Sequence, residues 1–140
     1  MENLGLTEPL DFESDVPVST QIGNRIKFAI ARGAYGPNAQ LPSVRGLARA
    51  LVVNPNTVIK VFRDLELEGT IYSQAGKGVF VSPGSLRRCR RDRAAIVEEK
   101  LAEAVALARR AELDERELDE LWERVKSGGV EPPNKSGRDR

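Results

Sequence analysis

Val53-Asn54-Pro55-Asn56-Thr57-Val58 is the stretch that decides the fold. Asparagine closes the front of a helix well, because its side-chain carbonyl accepts from a backbone N–H that has no helical partner. Proline suits the first helical position, where its missing N–H costs nothing. A helix therefore starts after Asn54. At 100° per residue from Val58, the side chains of Val61, Phe62 and Leu65 lie within about 60° of it, whereas Asn56, Arg63 and Lys60 fall near 160°, 140° and 200°. One face is core and the other is polar and basic. Gly69, directly after Glu68, is a fitting stop.

Upstream, Val18, Ile22, Ile26, Ala29 and Ile30 stand at helical spacing, with Pro17 ahead of the run and Gly33 behind it, which predicts a first amphipathic helix over 18–32. Residues 35–40 read as a turn in which Asn38 can turn left-handed, and Gln40-Leu41 is long enough only for a stub of strand. Ser43 is placed to cap a short helix through Leu51, burying Val44, Leu47, Ala48 and Leu51. Gly46 in its first turns weakens it by about 1 kcal/mol against alanine. Downstream, Ile71-Tyr72-Ser73-Gln74 and Val79-Phe80-Val81 flank Ala75-Gly76-Lys77-Gly78, the composition of a hairpin. The predicted fold is mainly α with a small β-hairpin: a winged helix-turn-helix over 16–83, punctuated by Pro83-Gly84.

Beyond it, Ala94, Val97, Leu101, Ala104, Ala108 and Ala111 repeat at 3-4-3-4-3 spacing, a narrow seam of small residues that permits close helix approach. Asp114 with Glu117 is an acidic variant of the capping box, opening a last helix with Leu118, Leu121, Trp122 and Val125 on one face. Two helices over 84–127 bury too little surface to stand alone. They are expected to form a dimerisation segment, with Val97, Leu101, Ala104, Ala108, Leu118, Leu121, Trp122 and Val125 as its contacts and Trp122 as an anchor rather than a ligand platform. Residues 128–140 are rich in Gly, Pro and Ser and are expected to be disordered.

The chain's 22 Lys+Arg and 21 Asp+Glu in 140 residues leave a net charge of +1, which conceals a sorted pattern. The acidic N-terminal segment (1–15) lies in a stretch, 1–16, with five acids and no base, while 17–83 hold eight bases against three acids. Residues 84–93 net +4, residues 94–127 net −4, and the tail nets +1. Charge segregated on this scale suggests an electropositive working surface joined to an acidic helical segment. No uncharged apolar stretch approaches the ~18 residues that cross a bilayer, and the acidic start lacks a signal peptide's basic and apolar regions. A cytoplasmic protein without membrane contact is expected. The single cysteine excludes an intrachain disulfide, and the absence of histidine removes the commonest metal ligand and the usual neutral-pH acid or base. No metal, no cofactor and no enzymatic activity are expected, and Gly76-Lys77-Gly78 lacks the spacing of a nucleotide-binding loop.

A helix-turn-helix presents the first turns of its second helix to the DNA major groove. Asn56 and Lys60, one turn apart on the outward face, can reach base edges or phosphates; Asn suits adenine and Lys suits guanine or phosphate oxygens. Thr57 on the flank can donate to a phosphate, and Arg63 adds a cation on the same side. Ser43 and Arg45 open the preceding helix, whose free N–H groups and dipole favour a phosphate that Arg45 can clamp. Gly76 and Lys77 form a wing tip with one cation for the minor groove or its phosphates. The basic run 86–93 either extends this footprint or solvates a linker helix. Cys89 among its arginines is expected to have a favoured thiolate, the setting of a redox sensor, although a passive thiol is the more ordinary reading.

P-S-V-R-G-L-A (42–48), V-N-P-N-T-V (53–58), D-L-E-L-E-G-T-I (64–71) and G-K-G-V-F-V-S (76–82), in that order, resemble the DNA-binding domain of GntR-family bacterial transcription regulators. The V-N-P-N-T-V form followed by two C-terminal helices is similar to the YtrA-like subfamily. The resemblance implies a homodimeric regulator, commonly a repressor, that reads a palindromic operator in double-stranded DNA. It carries the family's DNA-contacting positions onto Arg45, Asn54, Asn56, Thr57, Lys60, Gly76 and Lys77. Three departures stand out: Gly46 replaces a helix former, Gln74 and Ala75 stand where wing cations are common, and Ser19 and Thr20 replace a frequent aromatic. Two recognition helices held about 34 Å apart would then read a palindrome. The competing reading is an architectural or protein-tethering winged helix that binds DNA with little sequence choice. A small-molecule effector, if the protein has one, is expected at the dimer interface or between the two parts, because the C-terminal helices are too small to enclose a pocket.

Overall fold

The capping signals become seven elements in chain order: α1 (Val18–Ala31), α2 (Val44–Leu51), α3 (Pro55–Leu67), β1 (Ile71–Gln74), β2 (Gly78–Val81), α4 (Ser85–Arg110) and α5 (Glu115–Lys126). The computed structural model describes residues 5–132; residues 1–4 and 133–140, including most of the tail expected to be disordered, lie outside the described residues. The start of that tail is wound onto α5, where Gly128 N–H donates to Val125 O and Gly129 N–H to Arg124 O.

The three N-terminal helices bury the faces their periodicity marks. Ile22, Ile26, Ala29 and Ile30 of α1 meet Leu47, Ala48 and Leu51 of α2 and Val58, Val61, Phe62 and Leu65 of α3, all buried. Removing this apolar area from water, at roughly 25 cal/mol per Å², drives the assembly. Val44 is only half-buried against the cluster.

Local chemistry sets the helix ends. Ser43 Oγ accepts from Gly46 N–H at 3.0 Å, and a Cβ on residue 46 would stand 3.0 Å from that hydroxyl. The glycine that costs helix propensity thus leaves the cap its room. Asn54 Oδ1 accepts from Asn56 N–H at 2.8 Å with Pro55 in the first turn. At the far end Gly69, at φ 80°, lets Thr70 N–H reach back to Leu65 O at 2.9 Å. The link between α2 and α3 is less relaxed: Val52 sits left-handed at φ 56° with its side chain exposed, a conformation that β-branched residues disfavour.

β1 and β2 pair antiparallel from Ile71↔Val81 to Gln74↔Gly78, one residue longer on the second strand than the composition suggests. The expected stub is a single bridge, Gln40↔Phe80, flanked by Leu41 N–H to Val79 O and Val81 N–H to Ala39 O, each 2.9 Å. Asn38 is left-handed at φ 62°, and its Oδ1 accepts from the Tyr72 hydroxyl at 2.8 Å.

Two features escaped the charge and period arguments. The N-terminal segment is acidic, yet Leu6 and Leu10 belong to the core. Gln21 holds the segment down, its Nε2 donating to Asp11 O and Val16 O and its Oε1 accepting from Asp11 N–H, while Arg25 donates to the carbonyls of Glu8 and Pro9. The second feature is the seating of α4. Ser85 Oγ donates to Thr70 O at 2.7 Å, Arg88 donates to Glu68 O, and Arg90 Nε donates to Ala31 O at 3.2 Å. Two arginines of the basic run therefore meet the C-terminal ends of α3 and α1, where carbonyls and the helix dipole favour a cation.

Cys89 overturns the expected thiolate and agrees with the passive reading. Its thiol is fully buried in the core, and burial pushes its pKa up, with Asp92 adding to the effect. Desolvation disfavours the thiolate more than Lys27 and Arg88 favour it, so the cysteine behaves as a small apolar core residue.

Beyond this clamp the character changes. The capping box of Asp114 and Glu117 forms in both directions, yet α5 has no buried residue. Among the described residues no helix is long and apolar enough to cross a membrane.

Candidate nucleic-acid interface

α3 fixes the site's geometry, because its inward face is held by four buried apolar side chains and its rotation is thereby set. Asn56, Lys60 and Arg63 emerge exposed on the opposite side, and Thr57 is half-buried on the flank. Asn54 is exposed, but its Oδ1 is committed to the cap, so only its NH₂ remains to donate outward. Ser43 is likewise an acceptor in its own cap, leaving its O–H as a donor; Arg45, in the first turn of α2, is exposed.

The wing tip is braced from beneath. Gln40 Nε2 donates to Lys77 O at 2.9 Å, and Lys77 N–H donates to Gln74 O at 3.0 Å. A Cβ on Gly78 would come within 2.6 Å of Gln40 Nε2, so the glycine permits this support. Gly76 and the Lys77 side chain stand exposed above it. Gln40 was invisible as a site-supporting residue because its partner lies 37 positions away.

Two of the three acidic side chains within 17–83, Glu66 and Glu68, are turned to partners. Glu66 accepts from Ser73 N–H at 3.2 Å and Ser73 Oγ at 3.3 Å, tying α3 to the wing, and Glu68 pairs with Lys27 at 3.1 Å. Lys27 also meets Asp92 at 3.4 Å. Burial alone would lower the Lys27 pKa, but the hydrogen bond and charge of Glu68, together with Asp92, raise it above its ordinary value. With those carboxylates engaged, Arg45, Lys60, Arg63 and Lys77 give the outward side of α2, α3 and the wing its positive character.

The residues expected at a dimer contact are distributed unevenly. Val97, Leu101, Trp122 and Val125 are exposed, Trp122 at 44% with Lys126 Nζ 5.6 Å from its ring centroid. Ala104 is exposed and Leu118 and Leu121 are half-buried. Ala108 corrects the expectation: it is already covered within the chain at the α4–α5 turn, where Leu113 N–H donates to its carbonyl. Leu107, outside the seam pattern, is exposed instead.

Comparisons with known proteins agree with this geometry. The family model for bacterial regulatory proteins of the gntR family matches residues 18–81. The chain is 32% identical over 117 residues to the HTH-type transcriptional repressor YtrA of Bacillus subtilis, covering 84% of this chain and 88% of that protein. A GntR family transcriptional regulator from Listeria monocytogenes superposes with a TM-score of 0.63 at 26% identity, covering 86% of this chain and all of the other. The DNA-binding domain of AraR, solved in complex with operator ORX1, superposes with a TM-score of 0.50 at 29% identity over 54% of this chain and 95% of that one.

Proposed function

This chain belongs to the gntR family of bacterial regulatory proteins, a DNA-binding transcription regulator rather than an enzyme, and from that premise we propose that it is a repressor that binds a palindromic operator as a homodimer. The observation that carries the reading is the set of apolar side chains on α4 and α5, Val97, Leu101, Trp122 and Val125, left exposed by the rest of the chain, together with a recognition helix already packed and capped. Large exposed apolar patches mark interaction sites. Self-association covers these side chains with Leu118, Leu121 and Ala104 in support, and places two copies of α3 on successive turns of one duplex face.

In this reading Asn56 and Lys60 contact base edges, Thr57 and Arg63 contact the adjoining backbone, Ser43 and Arg45 hold a phosphate at the start of α2, and the Asn54 amide donates to another. Gly76 and Lys77 meet the neighbouring minor groove. Repression follows if the occupied site overlaps a promoter, and the repressor named among the relatives supports that sign. The open groove of about 520 Å³ between the body and α4, lined by Lys27, Glu68, Arg88, Arg91, Asp92 and Glu99 among others, is where a polar effector would sit between the two parts.

Selection of random duplexes by the full chain, followed by footprinting and sedimentation of the complex, tests the proposal. Two protomers on an inverted repeat are expected. Equal affinity for scrambled DNA at the same salt would establish the architectural reading instead.

A further inference from the structure

Ile59 stands on the recognition helix with no part in the core. It is 40% exposed, three residues after Asn56 and four before Arg63, and helical spacing puts it about 100° from Val58, at the edge of the outward face. The core of α3 is complete without it: Val58, Val61, Phe62 and Leu65 are its buried residues. A β-branched side chain here gains nothing from helix propensity, which ranks Ile below Lys, Arg or Gln at an exposed position. Its stiffness has another consequence. Few rotamers are open to Ile59, so ordering it against a partner forfeits little entropy.

The chemistry of such a contact is narrow. Ile59 has no polar side-chain atom, so phosphate oxygens and the donors and acceptors of the base edges offer it nothing. In the major groove of unmodified DNA the apolar feature is the C5-methyl group of thymine. We propose that Ile59 is a specificity-determining residue that packs on a thymine methyl in each half-site, one base step from the pair contacted by Asn56. The inference rests on the operator-binding reading above and deepens it. Asn56 supplies hydrogen-bond readout, and Ile59 adds an apolar check that a purely polar helix face could not make.

Replacing thymine by deoxyuridine deletes that methyl and leaves every hydrogen-bonding group in place. The test titrates the full chain against an operator selected from random duplexes and against versions with deoxyuridine at one thymine position per half-site. Wild-type protein should lose about fourfold in affinity per half-site at a single position, the equivalent of one methyl buried from water. Ile59→Ala should bind the thymine operator more weakly and show no further loss with deoxyuridine, and Ile59→Val should keep part of the methyl dependence. Unchanged thermal melting of both variants assigns the loss to contact rather than folding. Wild-type affinity insensitive to deoxyuridine at every thymine, or an Ile59→Ala variant with the full methyl penalty, overturns the role of Ile59 and leaves operator binding intact. Equal wild-type affinity for operator and scrambled duplex overturns the operator reading, and this inference with it.

Discussion

The body formed by α1–α3 and the hairpin, and the appendage formed by the outer half of α4 with α5, are built from helices of similar regularity but opposite packing. Every helix of the body buries an apolar face in one shared core, and even the acidic N-terminal segment contributes Leu6 and Leu10. In the appendage Ala108 is buried and α5 buries nothing. Caps and salt bridges are present in both, including Lys100–Glu103, Arg116–Glu120 and Lys126–Glu123 along the exposed helices. Such surface pairs contribute well under 1 kcal/mol each, so they shape a helix without anchoring it. The body completes an apolar core within one chain, whereas the appendage leaves its apolar side chains exposed.

The comparison breaks most easily at Ile26. Ile26→Ala removes a fully buried side chain where α1 meets the core and should lower the unfolding free energy by about 2–5 kcal/mol in urea titration at any protein concentration. A loss under 1 kcal/mol would mean that the body is not the seat of stability. Trp122→Ala addresses the appendage: its loss should weaken self-association by about thirtyfold, or about 2 kcal/mol, in sedimentation, while the unfolding midpoint of dilute chain stays put. A midpoint that falls equally at high dilution would place Trp122 in the body's own fold.

Val52 sharpens the body side. The left-handed backbone at this exposed β-branched residue is strained, so Val52→Gly should raise stability by about 1 kcal/mol, the released strain exceeding the entropy glycine adds to the unfolded chain. Destabilisation would show that the turn is relaxed with valine in place. The smallest effect concerns the seam between the two regions. Lys27 is held above its ordinary pKa by Glu68 and Asp92, so its contribution is complete below the unfolded lysine value near ~10.4 and is lost as pH rises through the folded one. Tyr35, whose phenol pKa burial raises, acts in the same alkaline direction. Lys27→Met should therefore flatten the alkaline fall of stability without abolishing it, and an unchanged profile would remove the Lys27 cluster from the account.

Much of the fold was legible because the decisive signals are local. Asn54-Pro55, Ser43 with its helix, Gly69, and Asp114 with Glu117 each act within one helical turn, and each element begins or ends within a residue or two of where they place it. The outward exposure of Asn56, Lys60 and Arg63 followed from the same periodicity. Contacts between distant residues were not legible. Gln40 beneath the wing, Glu66 on Ser73 and Lys27 between Glu68 and Asp92 depend on approaches that helical and strand periods do not encode.

Residues 84–93 show the division most clearly. Composition made them a basic run around a thiol primed by arginines. Packing divides the same residues: Cys89 is buried and its pKa raised, Arg88 and Arg90 reach the carbonyl ends of α3 and α1, and Arg87 and Arg91 stay exposed. Period, caps and turn residues determined which segments are helix or strand and which faces are apolar, because those choices are settled by neighbours in the chain. Which charges face outward, which acids are neutralised, and where the N-terminal leucines go were decided only by the tertiary structure, because desolvation and Coulomb energy depend on distance in space.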